Sequence, residues 1–378
     1  MSITRRYAAT VTDIIGSSRL ALLLVAVVIL MCIAGAMLPQ EGMYAAADIK
    51  LWQQKHPIAT ALAQPLGLFR TFHSLLFLCI VFLLGVNTFT CTVCRMVRIF
   101  NIHGFNAFAG SNALRHIGFL ILHLSLIILF IGGALSSGTG MDGFIVLTEG
   151  QVFKEEHDSY LRLVEGPFRK EYHHGIEFRL DQVLVQYEND YPVAMASLVE
   201  INDNGLPVKA EIKINDPLTH HGLYFTMIKR GYSPRISIID KKTGQRIVDS
   251  FVALKTFGYG PETRYKDFLP LPFFFKRGQQ VFFTVYPPSS TVDSTALLLV
   301  DIRTKESEDF LHAEVPLHGS TELSDYIISF NELRQWASFR VMHDYGYGVV
   351  LIALWIGLAG IILRYIPDLK TWFTASEK

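Results

Sequence analysis

Residues 117–135 of the chain read IGFLILHLSLIILFIGGAL, a run without a formal charge in which only His123 and Ser125 are polar. A bilayer core of roughly 30 Å is crossed by about 20 helical residues, so this stretch is long enough to span a membrane. Three further stretches meet the same requirement: Leu20 to Leu38, Phe72 to Phe89 and Gly346 to Leu363. The sequence therefore predicts a multi-pass membrane protein with four transmembrane helices.

Basic residues indicate the orientation of these spans. Arg5, Arg6 and Arg19 precede the first span, and the connection from Cys91 to Arg115 contains arginines but no acidic residue. Because cytoplasmic loops carry an excess of Lys and Arg, both termini are predicted to be cytoplasmic. The predicted organisation is a cytoplasmic segment 1–19, three spans within 20–135, an extracytoplasmic domain 136–342, a fourth span within 343–366 and a cytoplasmic end 367–378. In a bacterium this is an inner-membrane protein with a large periplasmic domain.

The first span has a second interpretation as a cleaved signal peptide. Its basic start and the small residues Ala34-Gly35-Ala36 are compatible with that alternative. The apolar run is long for a signal core, however, and its removal would leave an odd number of spans. We therefore expect it to stay as a membrane anchor.

Charge and cysteine content limit the class of protein. The formal net charge is zero, so nothing in the composition indicates binding to nucleic acid. Cys32, Cys79, Cys91 and Cys94 all precede the predicted outer domain, which therefore contains no cysteine. At about 200 residues, a domain buries enough apolar surface to be stable without disulfides.

The segment after Phe144 changes to short alternating runs separated by turn residues, the pattern of half-buried strands. Predicted strands are Ile176 to Tyr187, Met195 to Ile201, Val208 to Ile214, Leu223 to Lys229, Arg235 to Ile239, Val281 to Tyr286, Thr295 to Ile302 and Tyr326 to Phe330. Asp203-Asn204-Gly205 and Lys242-Thr243-Gly244 are predicted hairpin turns. The fold class is thus four transmembrane helices with an all-β domain, a sandwich or open barrel, inserted between helices 3 and 4.

One stretch of this domain departs from the strand pattern. Thr256 to Arg277 is rich in Pro and Gly and contains the run Leu271-Pro-Phe-Phe-Phe275. It is predicted to be irregular, either as a loop that touches a membrane or partner or as a buried connection.

Polar side chains inside a membrane are candidates for function because their burial is costly. His123 lies deep in the third span and His73 at the start of the second. At about 1.5 Å per residue, His123 lies roughly 9 Å from the inner end of its span, and His73 lies near the outer end. The two imidazoles then differ in depth by more than about 10 Å and cannot ligate one iron. If His123 ligates an iron, the opposite ligand comes from another subunit or from a second copy of this chain. Either ring has a simpler alternative role, a hydrogen bond to a neighbouring helix.

Weaker candidates surround these two. His116 lies two turns before His123 and is a candidate for an entry path, while Asn87 is a candidate to orient His123. Cys91 and Cys94 have the spacing of a redox or metal pair, although a single CxxC pair on the reducing side is more typical of structural thiols.

Two adjacent histidine pairs occur in the predicted β domain. His173-His174 and His220-His221 are neighbours in sequence, and neighbours in a strand point to opposite faces. Neither pair is therefore predicted to bind a metal on its own.

The chain resembles the ResB (CcsB) family of the system II pathway of cytochrome c maturation, over nearly its whole length. The resembling motifs are Gly118-Phe119 through His123, Gly132-Gly133 to Gly140, Gly143, Glu149-Gly150, Ile214-Asn-Asp-Pro-Leu218, Gly222-Leu-Tyr-Phe225 and Gly231-Tyr232. Asn215 and Pro217 fit the pattern "N-x-P-L, then G-x-x-F" of this family.

The resemblance implies a function. It implies a partner of the CcsA (ResC) type, with which such proteins carry haem across the membrane and attach it to CxxCH of apocytochrome c. It implies that His123 is an axial ligand of haem b, shared with the partner, and it makes a thioredoxin-like thiol reductant a further expected partner. The tryptophan-rich haem motif of the partner is absent here, so the chain is expected to be a non-catalytic or partial subunit of the synthetase.

Two other classes of function stay open at this stage. The first is a membrane-anchored assembly scaffold that binds no cofactor, in which His123 merely packs. The second is an electron carrier that works alone with haem or quinone. The difference in depth between His73 and His123 disfavours the second.

Overall fold

The structure is a computed structural model, and it describes residues 12–41, 44, 46–104, 113–169, 173–189, 191–203, 205–258, 263–269, 280–287, 295–303, 310–323 and 325–376. The chain divides into two compact units. The first comprises Met1–Ser137 with Tyr345–Lys378, and the second comprises Gly138–Asp344.

The first unit is helical. Its α-helices are α1 (Ser18–Met37), α2 (Ala46–Lys55), α3 (Pro57–Ala63), α4 (Leu75–His103), α5 (Ala113–Thr139) and α6 (Tyr345–Ser376), with a 3-10 helix at Leu68–His73. Four candidate membrane spans are long and apolar enough to cross a bilayer: Ser18–Met37, Leu75–Ile102, Ala113–Thr139 and Tyr345–Pro367. The prediction of four apolar spans is confirmed for the described residues.

The start of the second span differs from the prediction. Helix α4 begins at Leu75 because Ser74 caps it, with a side chain that accepts a hydrogen bond from the backbone N–H of Phe77. Phe72 and His73 therefore lie in the preceding 3-10 helix. His73 is not part of the second span, and its side chain is exposed.

Helices α5 and α6 pack antiparallel through glycines. Gly118 of α5 lies against Gly360 of α6, and Gly132 lies against Gly346. A Cβ added to Gly360 would lie 2.6 Å from the backbone nitrogen of Leu122, so only glycine permits this approach of the two backbones. Without a hydrophobic driving force between helices in lipid, such small residues allow the close contact that stabilises a helix pair.

The second unit is built from strands. In chain order they are β1 (Met141–Thr148), β2 (Val152–Lys154), β3 (Arg162–Glu165), β4 (Glu177–Glu188), β5 (Tyr191–Asp203), β6 (Leu206–Lys213), β7 (Leu218–His220), β8 (Leu223–Asp240), β9 (Arg246–Phe251), β10 (Lys255–Phe257), β11 (Arg264–Leu269), β12 (Gln280–Tyr286), β13 (Leu297–Arg303), β14 (Phe310–Pro316), β15 (Ser320–Leu323) and β16 (Tyr326–His343). A short 3-10 helix, His157–Ser159, lies between β2 and β3.

The described strands form three antiparallel sheets. The largest has the order β3-β1-β16-β8-β7, with β15 added to β16 and β9 added to β8. The second has the order β10-β11-β12-β13-β14 and the third β2-β4-β5-β6. The expected sandwich or open barrel stays a prediction.

Two hydrophobic cores hold the sheets together. In one, Phe225 of β8 and Phe339 of β16 pack with Phe178 of β4. In the other, Ile238 of β8 and Phe330 of β16 pack with strands of the second sheet. The long strands β8 and β16 therefore contribute to both cores, one with each half of their length.

Two predictions in this unit were wrong in part. Leu223 to Lys229 and Arg235 to Ile239 belong to the single strand β8 and are not separate strands. The stretch from Thr256 to Arg277 is not irregular throughout, because β10 and β11 lie in it and pair antiparallel. Leu271–Phe275 lies outside the described residues.

The predicted hairpin turn after β8 is confirmed. Gly244 has a φ of +67°, and the Asp240 carboxylate accepts hydrogen bonds from the backbone N–H groups of Lys242 and Thr243. Gly205 after β5 likewise has a positive φ of +83°, whereas Asn204 lies outside the described residues.

Candidate functional site

The structure places His123 in α5 and fixes the tautomer of its ring. Nδ1 lies 3.0 Å from the backbone carbonyl oxygen of Phe119, one turn earlier in the same helix. A carbonyl oxygen only accepts hydrogen bonds, so Nδ1 carries the hydrogen and donates it. The lone pair of the neutral imidazole is then on Nε2, which makes Nε2 the atom of this ring that can bind a metal. The hydrogen bond to a neighbouring helix, offered above as the simpler role, is not the one observed for Nδ1.

An aromatic ring packs against this histidine, and two arginines lie beside that aromatic ring. The Phe119 and His123 ring centroids are 3.9 Å apart, and Phe119 is buried. The guanidinium carbon of Arg95 in α4 lies 4.2 Å from the centroid of the Phe119 ring. That of Arg364 in α6 lies 5.8 Å from the same centroid. Three helices thus contribute to a site with an imidazole, an aromatic ring and two guanidinium groups.

His123 lies away from the glycine contact between α5 and α6. It follows Gly118 by five residues, which places it roughly 140° around the helix from that contact at about 100° per residue. Its side chain is half-buried, and the next residue, Leu124, is exposed. The face of α5 that carries His123 is therefore not the face that α6 covers.

The two intramembrane histidines predicted from sequence are not brought together. Gly85 and Arg95 of α4 face Phe130 and Phe119 of α5, so the two helices run antiparallel. At about 1.5 Å per residue, the start of α4 lies roughly 25 Å along the helix axes from the level of His123. His73 precedes that start.

Asn87 does not orient His123. It is buried, and its amide donates hydrogen bonds to the carbonyl oxygens of Ile15 and Ser17, the latter at 3.1 Å. These carbonyls come just before α1, so Asn87 fixes the start of the first span. The amide nitrogen is therefore used at the start of α1, and the suggested hydrogen bond to His123 is not observed.

The remaining candidates in the helices are His116 and the two cysteines of α4. His116 is half-buried in α5 and stays a prediction for an entry path. Cys91 and Cys94 are half-buried thiols inside helix α4 and form no disulfide. Their spacing places them on one face of the helix.

The histidine pairs of the β unit are not arranged as predicted. His173 and His174 precede β4 and are not in a strand, and His221 has a left-handed φ of +48° after the end of β7. The rings of His174 and His221 stack with centroids 5.2 Å apart. The rule that neighbours in a strand point to opposite faces therefore does not apply to these two histidine pairs.

Arg95, Phe119 and Arg364 are site residues that the sequence analysis missed. The sequence does contain features that point to these residues. Each arginine lies inside an apolar helical stretch, and Phe119 precedes His123 by one turn. Long-range packing of α4 and α6 on α5 was needed to join them.

Four helices that can cross a membrane and a large β-rich unit define a multi-pass membrane protein. A family model described as the ResB-like family matches residues 18–103 and 101–378. The chain therefore belongs to the ResB-like family, and this membership gives it a role in cytochrome c maturation. The resemblance inferred from the motifs is confirmed.

Other comparisons add little. No curated protein matches the chain. Among solved structures, a cytochrome c haem lyase, CcmF, is similar with 13% sequence identity and a TM-score of 0.29, over 83% of this chain and 34% of that chain. This chain thus spans about a third of that protein, and so low a TM-score supports no conclusion about this chain.

Proposed function

We propose that the chain is the haem-handling subunit of a system II cytochrome c synthetase, with His123 as an axial ligand of the transported haem. Together with a CcsA/ResC-type membrane protein it carries haem b across the inner membrane and supports its attachment to CxxCH of apocytochrome c. The observation that carries this proposal is the hydrogen bond from Nδ1 of His123 to Phe119, which leaves the metal-binding lone pair on Nε2.

The residues around His123 suit a haem as cargo. Haem supplies an iron that takes nitrogen ligands above and below its plane, and it carries two propionate carboxylates. Guanidinium groups bind carboxylates with two parallel hydrogen bonds, and Arg95 and Arg364 bring two of them beside Phe119.

The second axial ligand comes from the partner. His73 precedes α4, roughly 25 Å along the helix axes from the level of His123. His116 is on the same helix as His123, two turns earlier, and one helix cannot approach an iron from opposite sides. Helix α4 packs against Phe119 and Phe130 on the side of α5 that carries His123. A partner helix therefore approaches the half-buried ring from the side of the exposed Leu124.

The β unit is the extracytoplasmic part of this haem-handling subunit. Its strands lie in the chain between α5 and α6, and the basic residues that flank the helices favour cytoplasmic termini. We assign to this unit the task of holding apocytochrome c and the partner in register. A thioredoxin-like reductant keeps the CxxCH thiols of the apocytochrome reduced before attachment.

Haem content of the purified complex tests this function. The wild-type protein, copurified with its partner, is expected to show the absorption bands of a b-type haem. His123→Ala should remove most of this haem, and added imidazole should restore part of it by replacing the lost ligand. His312→Ala is the matched control, because His312 is an exposed histidine of the β unit.

Two results would contradict the proposal. Full haem occupancy in His123→Ala would show that another residue ligates the iron. A colourless wild-type complex would favour the assembly scaffold that binds no cofactor. Equal amounts of both subunits in each preparation exclude loss of assembly as the cause.

A further inference from the structure

The β unit contains a group of three side chains of the types that bind metals. His157 lies in the short 3-10 helix after β2, Glu165 is the last residue of β3, and His173 precedes β4. One ligand atom from each of the three residues lies within 4.8 Å of those of the other two. Three separate segments thus bring two imidazoles and one carboxylate to one place.

Glu165 is the centre of this group. His157 Nδ1 lies 2.8 Å from Oε2 of Glu165, and His173 Nε2 lies 2.9 Å from Oε1. The second contact does not have the geometry of a hydrogen bond, and Oε1 has no hydrogen-bond partner among the residues that the structure describes. The Glu165 side chain is only 7% exposed. An unpaired carboxylate oxygen at this burial is costly unless a cation accompanies it.

A second carboxylate orients His173. Glu155 is fully buried, and its Oε1 lies 2.6 Å from Nδ1 of His173. The same carboxylate accepts hydrogen bonds from the hydroxyl of Tyr160 and from the backbone N–H of His174. Burial and the Glu155 charge raise the pKa of Tyr160, so its hydroxyl keeps its proton and remains a donor.

This arrangement fixes the side of the ring that can bind a metal. If Nδ1 donates to Glu155, the lone pair of neutral His173 is on Nε2 and points at Oε1 of Glu165. Two acceptor atoms then face each other without a hydrogen between them, which is repulsive. A carboxylate on the far nitrogen of a histidine is also the usual support of a metal-bound imidazole.

We propose that His157, Glu165 and His173 bind one divalent transition-metal ion of the Zn²⁺ class. Two imidazoles and a carboxylate suit Zn²⁺ and its neighbours rather than Mg²⁺ or Ca²⁺, which prefer oxygen ligands. Ligands about 2.1 Å from a tetrahedral zinc lie roughly 3.4 Å apart, so the contacts to Glu165 widen by about half an ångström when the ion enters. Glu155 is the residue that positions His173.

An opening beside the group gives access to the ion. A cavity of about 260 Å³ is lined by His157, Leu163, Glu165, Gly166 and Pro167. His157 is 42% exposed, so its ring can move to accept the ion. The cavity leaves room for water as the remaining ligand, an open position of the kind found in zinc sites that take exogenous ligands.

A proton is the alternative occupant. A protonated His173 would donate to both Glu155 and Glu165 and join the two carboxylates without a metal. This alternative predicts no stoichiometric metal binding, so a titration distinguishes the two.

The test uses the full-length protein in detergent, purified without a polyhistidine tag and stripped with EDTA. Titration with ZnCl2 against a chromophoric chelator is expected to give one bound ion per chain. Co²⁺ in its place should give the visible absorption bands of a low-coordinate site. His157→Ala, Glu165→Gln and His173→Ala should each weaken Zn²⁺ binding at least tenfold, and Glu155→Gln about 10-fold to 100-fold as a change in the support of a ligand.

Controls separate metal binding from folding. His312→Ala removes an exposed histidine whose Nδ1 is 2.7 Å from Asp301 and should leave Zn²⁺ binding unchanged. His157→Ala also removes the partner of Oε2 of Glu165, so its thermal unfolding without metal is the baseline for the change that Zn²⁺ causes. Zn²⁺ should raise the melting temperature of the wild type and not that of His157→Ala. Equal affinities of the wild type and His157→Ala, or no stoichiometric binding by the wild type, would overturn the proposal and leave the proton as the occupant.

Discussion

Substitution of Gly360 by alanine should disturb the helix pair that holds His123. A Cβ at this position would lie 2.6 Å from the nitrogen and 2.9 Å from the Cα of Leu122, and 3.1 Å from the carbonyl oxygen of Gly118. All three atoms belong to the backbone, so no side-chain rotation relieves the overlap. Non-bonded carbons prefer separations of about 3.5–4.0 Å, so α5 and α6 must move apart by roughly 1 Å locally.

The expected cost follows from this displacement. Overpacking in a close-packed interior typically costs about 1–3 kcal/mol. At about 1.4 kcal/mol for each factor of ten, a cost of about 2 kcal/mol lowers the folding equilibrium constant roughly 30-fold. Leu122 directly precedes His123, so the same movement also shifts the imidazole. We expect Gly360→Ala to lower both stability and the haem content of the complex.

Gly348→Ala is the matched control. Gly348 lies in the same helix α6, and a Cβ added there meets no atom within 4 Å. Unfolding of the full-length protein in detergent, followed by loss of helical circular dichroism with increasing denaturant, compares the two variants. If Gly360→Ala unfolds at the same denaturant concentration as Gly348→Ala, the close contact between α5 and α6 does not stabilise the unit, and the reasoning is refuted.

Three predictions concern the β unit, each measured by thermal or denaturant unfolding. Gly143→Ala places a Cβ 2.5 Å from Cδ1 of Tyr160 and should destabilise the unit by about 1–3 kcal/mol, while an unchanged melting temperature would exclude this contact. Glu149→Ala removes a carboxylate that accepts backbone N–H groups from β4 and β16, at 2.8 and 3.0 Å, and should cost about 3 kcal/mol, whereas Glu149→Gln should cost less. A hydrogen bond to Asp301 raises the pKa of His312, so this pair stabilises the fold below a pH of about 6.5 and loses the effect as the pH rises through the folded-state pKa. Asp301→Asn should reduce this dependence of stability on pH, because Glu314 still raises the pKa to a smaller extent. A pH dependence equal to that of the wild type would contradict the prediction.

The helices were predictable because each span is a continuous apolar run of sufficient length. The start of α4 was placed too early, since Phe72 and His73 were included in the span while the Ser74 cap begins the helix two residues later. Its end was placed fourteen residues too early, at Phe89 instead of His103. A cap is a local signal, but the predicted span was bounded by its outermost apolar residue, Phe72, and not by the cap.

The long strands were not predictable from alternation. Strand β8 alternates at its start, and then Arg230, Gly231, Ser233 and Pro234 interrupt the pattern. At this point the strand leaves one hydrophobic core and enters the other, so burial changes from one face to the next. A period of two reports burial on one face only, and a strand shared by two cores therefore appears as two strands.

The site in the helices was partly predictable. His123 was found because it is isolated among apolar residues. Arg95 and Arg364 were missed because each lies near the end of a span, where basic residues are common. Which residues share a level across antiparallel helices depends on the contact of Gly118 with Gly360 and of Gly85 with Phe130. Sequence spacing within one helix does not contain that register.

The two proposed sites lie in separate compact units, and this separation makes each a control for the other. His123 belongs to the helical unit, whereas Glu165 and His173 belong to the β unit. If the sites act independently, His123→Ala should keep its zinc and Glu165→Gln should keep its haem. If zinc instead changes haem affinity, linkage requires that haem change zinc affinity by the same factor, because the coupling free energy is shared. Measuring the zinc affinity and the haem affinity of both variants therefore distinguishes two independent sites from two coupled sites.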